Sequence, residues 1–373
     1  MFDSKKEDLL VRHSNIASIA TAALLAVGLL NADESKDDTN ANDCKGNNIT
    51  NDCLLKGRYD LKDDWGVSVF GSALYWQAQE EGLDYVVKNN TGTAFANDAE
   101  VKRATFDWDW GFRVGLGYQI PKEKMELALI WTRFHTSAQS STSATEFGGL
   151  FPVWTIPGAG LSPSENARAN VSLKFDMADI QMLGVFTPRG FLQLKPFMSV
   201  SAVWVDQNFD VIADGGASTQ IANALIIEDK IEMKNNFFGV GPKMGLETMW
   251  ILGYGISIYG NIDASLLFGW FDLSQKETVQ LLGLNPRITF LDIKNNDYSL
   301  SRVNLHFNAG LRWDRVFHHD RFHLSLMAGW ESLLLFGQNQ LLRLPNTDSP
   351  GINMNTQGDL TMQGLTMKAL FAF

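Results

Sequence analysis

Leu365-Thr366-Met367-Lys368-Ala369-Leu370-Phe371-Ala372-Phe373 ends the sequence, and its alternation decides the fold. Leu365, Met367, Ala369, Phe371 and Phe373 take every second position, so in a strand, with its side-chain period of two, they line one face. Gly364, Thr366, Lys368 and Leu370 form the other face, mostly small or polar. In water, an apolar strand face ending on Phe would invite edge pairing and aggregation. Against lipid the same pattern is satisfied.

The grammar recurs upstream. From Phe106 to Gln119, Phe106, Trp108, Trp110, Phe112, Val114, Leu116 and Tyr118 share one parity, while Asp107, Asp109, Gly111, Arg113, Gly115, Gly117 and Gln119 share the other. Met125, Leu127, Leu129 and Trp131 make a second apolar row, and Leu192 to Trp204 a third. Phe238 to Trp250, Ile256 to Trp270 and Val303 to Trp313 repeat it. Strands of this length suit a tilted crossing of about 25 Å of apolar thickness. Pro196 and Pro242 fall inside two rows and are expected at local bulges, since proline lacks the ladder donor.

Connection lengths alternate as well. Short turns are expected at Pro121 to Lys124, Thr187 to Gly190, Leu252 to Gly255 and Phe317 to Asp320, and long loops near 88–104, 137–168, 206–234, 272–299 and 337–358. With both ends on the periplasmic side, four turns and five loops require ten strands, the first near Trp65 to Tyr85; a hairpin hidden in a loop would make twelve. The expected fold is all-β, a transmembrane antiparallel barrel over 65–373. Trp108, Trp131, Trp204 and Trp270 then fall toward the loops, and Trp250 and Trp313 toward the turns, as two aromatic girdles.

Composition is compatible: 373 residues, 45% apolar, with 24 Phe and 11 Trp. Mean hydropathy is near zero, because outward and inward residues cancel within any window. Past the N-terminus no apolar run is long enough for a spanning helix, which excludes a helical bundle. Ile16 to Leu30 follows Lys5, Lys6 and Arg12 and has the length of a signal-peptide core, so 1–32 is expected to be a cleaved leader. The polar segment 33–64 holds the only cysteines, Cys44 and Cys53, expected to form a disulfide in an oxidising compartment.

Two resemblances add to this reading. The alternating end on Phe371 and Phe373 resembles the assembly signal of bacterial outer-membrane barrels, which implies barrel-assembly machinery and outer-membrane lipid as partners. Ala73 to Leu83 (ALYWQAQEEGL), the Asp107 to Tyr118 strand, Trp131-Thr132-Arg133-Phe134-His135 and Leu311-Arg312-Trp313 are similar to the major outer membrane proteins of Legionella and of chlamydia-like environmental bacteria. That resemblance implies an abundant surface barrel acting as a porin and, in some members, as an adhesin. Chlamydial relatives of the broader type are cysteine-rich and cross-linked; with two cysteines this chain departs from them, which argues against disulfide networking between copies.

Arg113, Lys174, Lys195, Lys243, Glu247, Asp263, Arg302, His306 and Arg312 are expected to face the lumen, with Asp176, Asp314, Glu331 and Lys368 beside them. A mixed-charge lining suits a general diffusion porin for ions and small hydrophilic solutes. The alternative is a surface adhesin or structural barrel whose lumen is plugged by those same charges, ten strands leaving a narrow bore, with the loops binding host surfaces. The 137–168 loop either folds inward or stays exposed. No G-x-S-x-G, H-E-x-x-H or phosphate-loop signal occurs, and His318, His319 and His323 cluster at an expected turn, so no enzyme, cofactor or metal site is expected. A net charge of −11 without basic clusters disfavours nucleic acid. Oligomerisation is left open.

Overall fold

The computed structural model describes residues 66–91, 98–120, 125–156, 163–189, 191–218, 224–317, 321–343, 354–355 and 358–373. The expected leader, the polar 33–64 segment and Cys44 and Cys53 lie outside them. Ten long strands form one antiparallel sheet: β1 (Val67–Glu80), β2 (Trp108–Gln119), β3 (Met125–Ser143), β4 (Asn166–Gly184), β5 (Leu192–Asp214), β6 (Ala224–Gly253), β7 (Ile256–Leu281), β8 (Ile288–Phe317), β9 (Phe322–Asn339) and β10 (Gly358–Ala372). Each pairs with its sequence neighbours, and β1 also pairs with β10, from Ser68 opposite Ala372 to Glu80 opposite Leu360. The sheet is therefore a closed ten-stranded barrel without an edge. Val67 N donates to Phe373 O at 3.4 Å and Phe373 N to Val67 O at 3.0 Å, which puts the first and last strands side by side at one end, here the terminal end.

The connections at the terminal end are short. Between β6 and β7 a two-residue turn, Tyr254-Gly255, has φ of 54° and 78°, the doubly positive geometry whose twist matches an antiparallel hairpin. At the other, loop end, the strands run past any membrane. β5, β6, β7 and β8 contain 23, 30, 26 and 30 residues, whereas a tilted crossing needs about ten. This corrects the expectation of long loops at 206–234 and 272–299: most of both stretches is barrel wall, and the connections shrink to 215–223 and 282–287.

The prolines are also corrected. β5 and β6 stay in unbroken register through Pro196 opposite Leu246 and Pro242 opposite Val200. Neither makes a bulge. Pro196 lies just beyond the last β4 pair, Leu183 opposite Phe197, and the β6–β7 ladder simply drops Gly241 and Pro242 before resuming at Lys243 opposite Ser265. The missing donor costs local bonding and leaves the register alone.

One feature of the wall organises everything inside it. On β5, Val200, Ala202 and Trp204 face out and Ser199 and Ser201 face in; beyond Trp204, Asp206, Asn208 and Asp210 face out while Val205, Phe209 and Val211 are buried inside. β6 does the same, with Phe238, Val240 and Met244 outward in one half, and Lys230, Glu232 and Lys234 outward over buried Ile231, Met233 and Phe237 in the other. Parity holds through the crossover, β6 shifting register only near its ends, at Ile226/Glu228 and Ile251/Gly253; polarity inverts. The crossover is the row of rings Trp204, Phe238 and Trp270, with centroids 5.3 and 5.8 Å apart, continued by Tyr75, Trp108 and Trp330. Phe317, Phe322, Phe371 and Phe373 cluster at the terminal end. Lipid covers the wall between these two girdles, and beyond the upper one the barrel becomes a water-bathed tube with an apolar core.

Candidate functional site in the filled lumen

Between the girdles the inward side chains form a chain of alternating charge. Arg113 on β2 holds Glu331 on β9 with two nitrogens, at 2.5 and 3.2 Å. His306 on β8 places Nε2 2.7 Å from Glu331 and Nδ1 2.6 Å from Asp263 on β7, an arrangement satisfied by an imidazolium donating from both nitrogens. Lys243 on β6 then lies 3.5 Å from Asp263 and 3.4 Å from Asp179 on β4. Thr366 on β10 donates to Glu331 at 2.7 Å, and Arg113 Nε to Thr132 on β3 at 2.8 Å. Cations and anions balance within this belt, which draws on most of the strands. It cross-braces the lumen where an open pore would need water.

Above the belt the bore is packed. Trp76, whose Nε1 donates to Thr366 at 3.1 Å, meets Phe134 at 5.7 Å between ring centroids, and Phe237 meets Phe271 at 4.8 Å. With Phe175, Phe209, Leu333 and Met362 they make one buried cluster in the loop half. Gly269 is required here, because a Cβ would collide with the Phe237 ring. Below and within the belt a cavity of about 90 Å³ is lined by Phe70, Glu247, Tyr259 and Lys368 among others, room for a few waters and too little for a channel. Toward the terminal end Arg312 clamps Asp314 at 2.7 and 2.8 Å, and buried His323 meets Asp314 at 2.9 Å.

The loop mouth is capped. Strands Ala99–Arg103, Asp84–Asn89 and Gly149–Pro152 form a small separate sheet over it. The connection between β3 and β4 turns inward: Trp154 is buried, donates to Asp84 O at 2.6 Å and packs edge-on to Phe209. Burial pushes the Glu80 carboxyl, on the loop side of the girdle, up to about 8.

Most of the residues expected in the lumen face it: Arg113, Lys243, Asp263, His306, Arg302 and Arg312, with Lys195 opposite Glu247 near the terminal end. Lys174 is a correction. It is exposed on the outer wall of β4, and Asp176 beside it contacts His135 at 3.3 Å and Arg133 at 4.0 Å outside the barrel. Both lie past the girdle, where polar means outward. Phe106 is a second correction: β2 starts at Trp108, and Phe106 is buried with its carbonyl accepting from Gln77 at 2.9 Å. The six girdle tryptophans face outward, five well exposed and Trp313 half-buried. Asp179 and Trp154 had drawn no attention in the sequence, although Asp179 shares the parity of Met177 and Gln181. His323, grouped with His318 and His319 at a turn, is fully buried; the other two lie outside the described residues.

A closed barrel with two aromatic girdles, lipid-facing apolar rows and a polar interior between them is a β-barrel of the bacterial outer membrane. A family model described as the Legionella pneumophila major outer membrane protein precursor matches residues 60–373, and the chain belongs to that family. Among solved structures it is similar to the outer membrane protease OmpT of Escherichia coli, at 12% identity, 84% of this chain, 99% of that one and a TM-score of 0.38. It is also similar to the Pseudomonas putida toluene transporter TodX, at 8% identity, 87%, 93% and 0.33, and to the translocator domain of the autotransporter NalP from Neisseria meningitidis, at 11%, 83%, 89% and 0.29. At these scores none bears on function. No curated protein matches the sequence.

Proposed function

We propose that the protein is a closed surface barrel, a rigid tube that displays binding surface beyond the outer membrane, rather than a general diffusion porin. The observation that carries this is the filled bore: the Arg113–Glu331–His306–Asp263–Lys243–Asp179 belt, with the apolar cluster above it. Water and ions would have to break buried ion pairs or thread packed aromatic rings, and both are costly. In this reading the terminal end faces the periplasm and the extended tube faces outside. The loop ends of β6 and β7, which Leu282 N donating to Leu225 O at 2.8 Å holds together, support a contact role, since Leu225, Ile227, Leu282 and Leu284 are all exposed there. Apolar side chains gathered at a water-facing tip mark a surface for partners. The belt's own acids and its imidazole are committed to one another, which favours a structural over a catalytic role for them.

Planar-bilayer recording on folded protein tests this. The expected trace is silent, with conductance appearing in the Trp76→Ala, Arg113→Ala double variant. Stepwise conductance from the unaltered protein would return the porin to first place. Surface binding by cells carrying it should fall on Leu282→Ser, Leu284→Ser.

A further inference from the structure

The capped mouth holds a cluster that neither the belt nor the display surface uses. Asp229 on β6 stands opposite Val279 and Glu277 on β7 opposite Ile231, so the two acids are diagonal neighbours on one inward face. They are 2% and 0% exposed. Asp229 is about 30 Å along the strand from the girdle residue Phe238, well outside the membrane. Among the described residues no Lys, Arg or His makes an ion pair with either acid.

The inturned loop docks here through three consecutive residues. The Trp154 carbonyl accepts from Gln275 Nε2 at a long 3.5 Å, Thr155 Oγ1 donates to Asp229 Oδ2 at 3.1 Å, and Ile156 N donates to Glu277 Oε2 at 2.9 Å. Asp229 Oδ1 and Glu277 Oε1 are buried without partners. So is Oε1 of Gln275, a side chain only 3% exposed, two positions from Glu277 on the same face, with its carboxamide against the same loop segment. Two adjacent acids out of water persist only by taking up protons or a cation.

We propose that Asp229, Glu277 and Gln275, together with the Trp154 carbonyl and the Thr155 hydroxyl, form a site for a divalent cation of the calcium type, which pins the 154–156 segment to the barrel wall. Every donor is oxygen and two are anionic, as a hard cation with six to eight ligands requires, with water completing the shell. Zinc and copper are poorly served, since no imidazole or thiolate is among these donors. Among the described residues no group of three or more His, Cys, Asp or Glu is placed to hold a metal ion; here the further ligands are an amide, a hydroxyl and a backbone carbonyl. Without a cation the acids hold protons instead: burial, then the neighbouring Asp229, raises Glu277 to about 8, and burial raises Asp229 to about 7. The site stands whether or not the lumen conducts.

Terbium luminescence excited through tryptophan tests the site in the whole folded protein in detergent, Trp154 supplying the sensitiser. The expected result is saturable emission that calcium displaces, lost in Glu277→Gln and in Asp229→Asn and kept in Glu100→Gln, an exposed acid of the cap. Both amide variants are isosteric and remove a buried charge, so the barrel should survive; heat-modifiable gel migration checks it. Calcium should also raise the melting temperature of the unaltered protein above its value in EDTA. Emission unchanged in Glu277→Gln, calcium that fails to compete, or a melting temperature indifferent to calcium would each overturn the proposal and leave a pair held by protons alone.

Discussion

The two halves of this barrel use the same strands and opposite chemistry. Between the girdles, β5 shows lipid Val200 and Ala202 and turns Ser199 and Ser201 inward; past Trp204 it shows water Asp206 and Asp210 and buries Val205, Phe209 and Val211. A strand cannot change which parity faces in without a slip, and none occurs on β5, so the solvent outside decides what each parity must be. The lesson is that inside and outside are geometric facts here, whereas polar and apolar depend on height.

The largest effects should come from breaking each half's interior. Glu331→Ala strands Arg113 and His306 in the bore and should cost about 3–5 kcal/mol, read as a lower urea midpoint of the refolded barrel. Phe209→Ala empties the apolar half and should cost about 3–5 kcal/mol by the same assay, which would make the two fillings equally important despite their opposite polarity. Equal destabilisation by Phe209→Ala and Phe209→Asn would sink the idea that the upper half is a dry core.

The outer wall gives the next contrast. Met244→Arg puts a charge on the lipid face of β6 and should cost about 2–4 kcal/mol in lipid vesicles, whereas Glu232→Arg, farther along the same face, should stay within about 0.5 kcal/mol. Similar penalties at both sites would move the membrane boundary above Phe238.

A smaller effect is a pH dependence confined to the cap. Asp229 and Glu277 bind protons more tightly folded than unfolded, so their contribution to stability is highest at low pH and falls as pH rises from the ordinary carboxylate range through about 7 to 8. In EDTA, the protection of the Thr155 and Ile156 amides relative to their intrinsic exchange rates should fall from pH 6 to pH 9, and Glu277→Gln should remove most of that fall. Least of all, Leu282→Ser should leave the urea midpoint unmoved while changing surface binding.

Much was legible in the sequence because a period of two survives any environment. The rows ending at Phe373 and running through Trp108 to Tyr118 showed the lipid face, the girdles and the short turns, and parity alone brought Arg113, Lys243, Asp263 and His306 to one interior. Reading failed where polarity was used in place of parity. Lys174 was sent inward for being charged, and 206–234 and 272–299 were read as loops because Asp206, Lys234 and Asp272 look solvated, which they are, on a wall that continues. What the sequence determined by itself is the alternation, a local property of a chain whose side chains point up and down in turn. Which strand meets which, that Glu331 sits between Arg113 and His306, and that Trp154 closes the mouth over Asp229 and Glu277 were decided only by closure of the sheet, because such contacts join residues far apart in sequence and depend on a register that no local pattern records.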